Sequence, residues 1–143
     1  MSLFHLEIIT PERSAFSQEV DALSVPTPRG TIGVLAHHMP LFLALIEGEI
    51  TITVGKNVYY LAIGGGFMEV ANGSVSILVS RAVHADELNE AAIQRAYQAA
   101  KDAVGKRLKG EEFASAQAIL RRSLLELKVS RRKKHVTAAM GSL

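Results

Sequence analysis

Five histidines, a glycine triplet and a run of basic residues are the parts of this 143-residue sequence with the chemistry to bind or react. His5, His37, His38, His84 and His135 show neither H-x-x-x-H nor H-E-x-x-H spacing. The adjacent His37 and His38 would point to opposite faces of an extended chain, so no metal site is predicted. A Ser-His-Asp triad need not be contiguous in sequence, but no G-x-S-x-G elbow marks its nucleophile. Gly64-Gly65-Gly66 runs into Phe67 with no Lys-Ser or Lys-Thr behind it, and the flanks at 60–63 and 68–70 read as strand. The triplet therefore predicts a strand bend or a close backbone crossing, not a phosphate cradle at a helix end. The absence of cysteine excludes a disulfide scaffold, thiol catalysis and Cys-ligated zinc. No catalytic residue and no metal ligand is assigned.

The strongest electrostatic feature is the cluster Arg121, Arg122, Lys128, Arg131, Arg132, Lys133 and Lys134. Three readings compete for it: a solvated helix face, a surface for an acidic protein, or contact with nucleic acid or anionic lipid. The lack of interleaved aromatics weakens the last of these. The whole chain carries a net charge of only +2, but that total conceals a division. Residues 1–84 hold four basic and seven acidic side chains, whereas residues 85–143 hold twelve and seven.

The elements that carry these residues divide at the same place. All four prolines, eight of the eleven glycines and six of the eight aromatics lie in residues 1–84, while twelve alanines lie beyond. Period-two alternation at Phe4, Leu6 and Ile8, at Ile50, Ile52 and Val54, and at Val75, Ile77 and Val79 predicts half-buried strands. Turn signals recur at Thr10-Pro11, 26–30, Glu47-Gly48, 55–57 and Asn72-Gly73. Many short, mostly antiparallel strands make a β-sandwich or flattened barrel. The apolar run 39–46 is expected to be a core strand. It is also the longest such run, well short of the roughly 18 residues of a membrane span, and the opening MSLFHLEIITPE has no signal-peptide pattern.

From Asp86 the period changes to that of a helix, with Asp86 as the expected cap and Glu87 and Glu90 at the positive end of the dipole. One stripe runs Leu88, Ala92, Ala96, Ala99, Ala103, beside a second of Ile93, Tyr97, Ala100, Val104, Leu108. Gly110 is expected to end this helix, and Glu111 and Glu112 to open another with Phe113, Ala116, Leu120, Leu124 and Leu127 on one face. So short a link makes an antiparallel hairpin. Its alanine-rich face covers little apolar area, so its docking is expected to be marginal and reversible. Residues 135–143 show no pattern and read as a flexible tail. The expected domains are thus a sandwich over 1–84 and a helical hairpin, with a basic second helix, over 85–143.

In this order the features resemble the epsilon subunit of bacterial F-type ATP synthase over about residues 4–134. The carriers are LEIITPER with SQEVDALSVPT, then GTIGVLAHHMPL, then ITVGKNVYYLAIGGGFMEVANGSVSILVSRAVHADELNEAA, and the closing Ala-rich hairpin. The resemblance implies a sandwich of roughly ten strands followed by two helices, in a non-catalytic rotor part at the foot of the central stalk. Its implied partners are the gamma subunit and the c-subunit ring, which it meets on the cytoplasmic face of the bacterial cell membrane without inserting or binding nucleic acid. The segment 29–33, with Arg29, Gly30 and Thr31, and the nearby 38–41, with His38, look like the ring-facing region. Many relatives carry an acid where Thr31 stands, so that half of a salt bridge is missing here. In relatives the hairpin extends along gamma and sets basic residues against an acidic segment of the catalytic beta subunit, blocking hydrolysis. Arg121, Arg122, Lys128, Arg131 and Arg132 match that role, so the hairpin is expected to be an inhibitory latch. Some relatives hold ATP through [IL]-D-x-x-R-A and further arginines. Of a weak remnant at Leu88, Asn89 and Arg122, Leu88 matches, Asn89 stands where the motif has Asp, and Arg122 is the one arginine kept, the others being replaced by Ala92, Ala99 and Glu126. Too little charge-assisted phosphate contact survives, and no cofactor is expected. The alternative to a stalk subunit is a free adaptor or nucleic-acid-binding module that uses the basic hairpin.

Overall fold

The computed structural model describes residues 2–106 and 109–141, of which 133–141 as backbone only. Two compact units divide the chain, Met1–His84 and Ala85–Leu143.

The first unit is a sandwich of two five-stranded sheets. In chain order the strands are β1 (Phe4–Ile9), β2 (Ser14–Val20), β3 (Ala22–Thr27), β4 (Gly30–Leu35), β5 (Leu41–Leu45), β6 (Gly48–Val54), β7 (Asn57–Ile63), β8 (Gly66–Ala71), β9 (Ser74–Val79) and β10 (Ala82–His84). One sheet runs β2-β1-β9-β8-β5 and the other β10-β7-β6-β3-β4. All pairs are antiparallel except β1 with β9. The three strands with clean alternation form as the sequence predicts. Their inward rows, Leu6 and Ile8, Ile50 and Ile52, Val75 and Ile77, are buried together with Val25, Leu61 and Met68. These facing rows are the core of the unit.

Residues 39–46 supply a strand that is only half in the core, Leu45 belonging to it and Leu41 and Leu43 packing against it. Only Leu41–Leu45 is strand, and it lies at the edge of its sheet, where Leu45 is buried while Met39, Phe42 and Ile46 are exposed. An edge position leaves such a run apolar on both faces, which its sequence cannot distinguish from a strand covered on both.

The glycine triplet is a close crossing, as its flanks suggest. Gly64 donates its N–H to the Arg81 carbonyl at 2.9 Å, and Ser80 donates to the Gly65 carbonyl at 3.1 Å. A Cβ on Gly64 would strike the Ser80 hydroxyl, and one on Gly66 would strike the Leu78 carbonyl and the Val79 Cα. The second obstacle is backbone of the neighbouring strand and has no rotamer to escape into.

In the second unit a 3-10 turn, Ala85–Glu87, precedes α1 (Glu90–Gly105) and α2 (Glu111–Gly141). Asp86 lies in that turn, and the cap of α1 is Asn89, whose side-chain oxygen accepts from the Ala92 N–H at 3.1 Å. The first helix stops at Gly105, with the Lys106 N–H turned back to the Ala103 carbonyl. Gly110, at φ 64°, instead begins α2, and its carbonyl accepts from Ala114. Of the two expected stripes on α1, the one through Ile93, Tyr97, Ala100 and Val104 is the covered one, while Ala92, Ala96 and Ala99 are exposed. Leu108 lies outside the described residues. On α2 the covered face takes Ala116, Ser123, Leu127 and Ser130, and Leu124 turns outward. The helix continues to Gly141, through the first part of the expected tail. Lys, Arg and Ala are strong helix formers and need no buried stripe to favour that conformation.

Replacing Gly66 by Ala should destabilise the protein by about 2–3 kcal/mol, since β8 and β9 must separate to admit the methyl group. Urea unfolding followed by circular dichroism measures it.

Candidate partner-binding surfaces

The outer face of the first sheet carries a feature that motif reading missed. On β5, β8 and β9 the register sets Ala44 opposite Phe67 and Phe67 opposite Leu78, and β9 sets Leu78 opposite Ile9 of β1. Inward and outward residues alternate, so these four form one row pointing away from the core. Phe67 and Leu78 are 51% and 54% exposed, and Phe42, one strand position away, is 67% exposed. Phe42 and Phe67 stack with ring centroids 5.6 Å apart and planes 16° apart. Two stacked phenylalanines beside an exposed leucine form a contiguous apolar patch, which soluble surfaces carry chiefly where something docks. The signal in the sequence was the unbroken apolar runs Leu41-Phe42-Leu43 and Ile77-Leu78-Val79, which place apolar side chains on both faces.

The rest of this face is polar. His5 Nδ1 lies 3.3 Å from a Glu19 carboxylate oxygen, and Ser17 Oγ lies 3.4 Å from His5 Nε2. The three side chains have the order of a nucleophile, a base and an orienting acid. They stand on an exposed β1–β2 ladder in which His5 pairs Glu19 and Glu7 pairs Ser17. Backbone N–H groups there lie in the plane of the sheet, so none converges on a carbonyl above Ser17 to hold an oxyanion. Among the described residues no three His, Cys, Asp or Glu side chains meet at metal-binding distance.

The other sheet presents Arg29, Gly30 and Thr31 at the tip of the β3–β4 hairpin. Gly30, at φ 113°, allows the two-residue turn. Thr27 braces the turn, its hydroxyl donating to the Gly30 carbonyl at 2.6 Å and accepting from the Arg29 N–H at 3.2 Å. His38 is not near this tip. It follows the turn at the far end of β4, where its N–H reaches the Leu35 carbonyl at 3.3 Å and His37 takes φ 63°. A strand of this length, at about 3.3 Å per residue, separates the two sites by roughly 15 Å or more. The expected single ring-facing cluster is therefore two sites at opposite ends of one strand. His38 Nδ1 is 2.8 Å from the Met39 carbonyl, so its ring is tied to its own loop.

In the helical unit the basic residues divide between two faces of α2. Lys128, Arg131 and Arg132 line an open cleft with Leu124, Leu127, Gln94 and Tyr97, and Arg121 precedes Leu124 by three residues on the same side. Arg122 faces another way, lining a groove with Ala96, Ala99 and Ala103, and its Nε lies 3.7 Å from Glu126. Glu126, where an arginine would serve a nucleotide, is buried. The other two positions of the remnant also have local roles: the Leu88 N–H closes the 3-10 turn onto the Ala85 carbonyl, and Asn89, in place of the motif's Asp, caps α1. Among the described residues no helix is long and apolar enough to cross a membrane.

Comparison with known proteins fits this architecture. Residues 3–85 match the family model described as ATP synthase, Delta/Epsilon chain, beta-sandwich domain. The chain is 39% identical to the ATP synthase epsilon chain of Dehalococcoides mccartyi, over 94% of its own length and 98% of that relative. It is also 39% identical to the epsilon chain of Herpetosiphon aurantiacus, over 91% and 96%. A chain of the Euglena gracilis mitochondrial ATP synthase, solved as OSCP/F1/c-ring, shares the fold with a TM-score of 0.67 at 21% identity, over 96% of this chain and 82% of that one. The chain belongs to the delta/epsilon chain family of ATP synthase, as a non-catalytic subunit of the central stalk.

Asn89→Ala removes the cap of α1 and should cost about 1 kcal/mol of stability, with Asn89→Asp restoring it; thermal unfolding of the three proteins gives the comparison.

Proposed function

We propose that this subunit docks on the stalk through the apolar row of its first sheet and regulates hydrolysis through its basic hairpin. The observation that carries the reading is the exposed patch of Phe67 and Leu78, with Phe42 stacked on Phe67, on a well-packed sandwich. Burying it on a partner removes that surface from water at about 25 cal/mol per Å². The occupant is the gamma subunit, and the hairpin tip at Arg29, Gly30 and Thr31 faces the c-subunit ring. His38, at the other end of β4, takes no part in that ring contact. With both partners engaged, the subunit sits at the cytoplasmic face of the cell membrane, held there by protein contacts.

The helical unit supplies the regulation. Arg121, Lys128, Arg131 and Arg132 form a basic face suited to an acidic segment of the catalytic beta subunit, with Leu124 set among them. Arg122 contributes less, being turned toward Glu126. A positive face meeting an acidic one in the extended state blocks rotation, and withdrawal of the hairpin releases it.

The same arrangement disfavours nucleotide binding. A polyphosphate placed beside Arg122 would meet the carboxylate of Glu126, and the Asn89 oxygen is already spent on the Ala92 N–H. Titration of the isolated chain with ATP to millimolar concentration should leave the amide signals of Leu88, Asn89 and Arg122 unmoved. Saturable shifts would overturn this part.

The docking and regulatory roles separate in one reconstitution with complex depleted of the subunit. Phe67→Glu should lose at least about tenfold in affinity for the stalk, equivalent to 1.4 kcal/mol, while its free form unfolds normally. Truncation after His84 should keep full affinity and raise ATP hydrolysis. Salt-sensitive retention of the full chain on DNA, together with no binding to the depleted complex, would favour the adaptor reading instead.

A further inference from the structure

The sandwich has two long sides, and they are built differently. On one side lie the edge strands β2 and β10. Arg13, just before β2, donates from its guanidinium to the Ala82 carbonyl at 2.9 Å, and His84 Nε2 donates to the Ala15 carbonyl at 2.6 Å. Side chains thus lace the two sheets together there. The edges themselves are blunted, β10 by its length of three residues and β2 by Glu19 and its serines. On the other side lie the edge strands β4 and β5, and there the chain just after β5 is tied to β3, the neighbour of β4, by the Ile46 N–H donating to the Pro26 carbonyl at 3.2 Å. From residue 30 to residue 46 this side contains no Asp, Glu, Lys or Arg. None of the usual devices against strand pairing protects β4: its sequence GTIGVL has no charge, no proline and no irregularity in its register with β3.

Gly33 sharpens the point. It is exposed in the middle of β4, it is not among the glycines with positive φ, and an added Cβ would find nothing nearer than the Leu23 carbonyl at 3.9 Å. Nothing in the fold requires glycine at this position, in contrast to Gly64 and Gly66, although glycine weakens a strand. A glycine that its own fold does not need, on an open edge, suits close approach by a backbone from outside. The hairpin register sets which groups would meet it. The pair Thr27 and Gly30 closes the two-residue turn by hydrogen bonding, and alternation then directs Ile32 and Val34 toward β3 and directs the N–H and C=O of Thr31 and Gly33 outward.

We infer that the free edge of β4 is a strand-addition site: an extended, uncharged segment of a partner subunit pairs with Thr31 and Gly33 as a sixth strand of that sheet. The uncharged edge selects the segment, since a charged one would lose hydration with no opposite charge to meet. The inference deepens the docking reading above and rests on it.

Hydrogen exchange of the full chain, free and within the reconstituted ATP synthase, read by fragmentation mass spectrometry, tests it directly. Thr31 and Gly33 amides should exchange rapidly in the free chain and at least about 100-fold more slowly in the complex. Ile32 and Val34 should be protected in both. Gly33→Lys and Gly33→Ala should both leave the unfolding midpoint of the free chain within about 2 °C, while association weakens at least about tenfold for Lys and by a smaller factor for Ala, whose methyl group meets only the incoming strand. Unchanged exchange at Thr31 and Gly33 in the complex, with the Phe42 and Phe67 strands protected, would refute strand addition and leave the docking reading standing. Failure of the wild-type chain to associate at all would overturn both.

Discussion

Everything in the first unit depends on two sheets pressing their inner rows together. Leu6, Ile8 and Ile77 from one sheet and Ile50, Ile52 and Leu61 from the other are completely buried, so no strand can slip by one residue without turning its whole apolar set to water. That register lock, imposed from inside, decides what the outside shows. It places Phe67, Leu78 and Ala44 in one outward row, and it directs the backbone of Thr31 and Gly33 away from β3. The surfaces available to partners are consequences of core packing, at positions where the core has no further use for the residues.

Much of this was legible in sequence, and the exceptions have a common cause. Strands β1, β6 and β9 follow from alternation, and the close crossing at Gly64-Gly65-Gly66 from the glycines and their flanks. Which strands lie at an edge was not legible, because order in a sheet is set by pairings distant in the chain. His5 pairs with Ser74 across the parallel β1–β9 ladder, and nothing local to either residue announces it. Residues 39–46 were therefore assigned to the core, and the separation of His38 from Arg29 was invisible until β4 had a direction. In the helical unit the errors are of one residue or one turn: Asn89 for Asp86 as the cap, Gly105 for Gly110 as the stop, Ser123 for Leu124 on the covered face. Competing cap candidates three residues apart account for the first, two glycines five residues apart for the second, and a serine that tolerates burial when hydrogen-bonded to the helix for the third.

The two units also differ in how they are stabilised. The sandwich closes through long-range apolar contact and is interlaced by side-chain bonds at one side. The helices meet across small residues, Ala100 and Ala116 among them, with the buried carboxylate of Glu126 near Arg122. Small contact area makes a helical pair easier to part, because less apolar surface has to be rehydrated.

The bonds from Arg13 and His84 have one further consequence. His84 is the last residue of the sandwich unit, and the chain passes from it directly into the 3-10 turn at Ala85. Ala82 and His84 are both tied across the side seam, to Arg13 just before β2 and to Ala15 within it, so peeling β10 from β7 would break these two bonds as well as the ladder. The seam acts as a clamp on a three-residue strand that its own ladder would hold only weakly, so the last residues of the sandwich keep their register up to the point where the sheet ends.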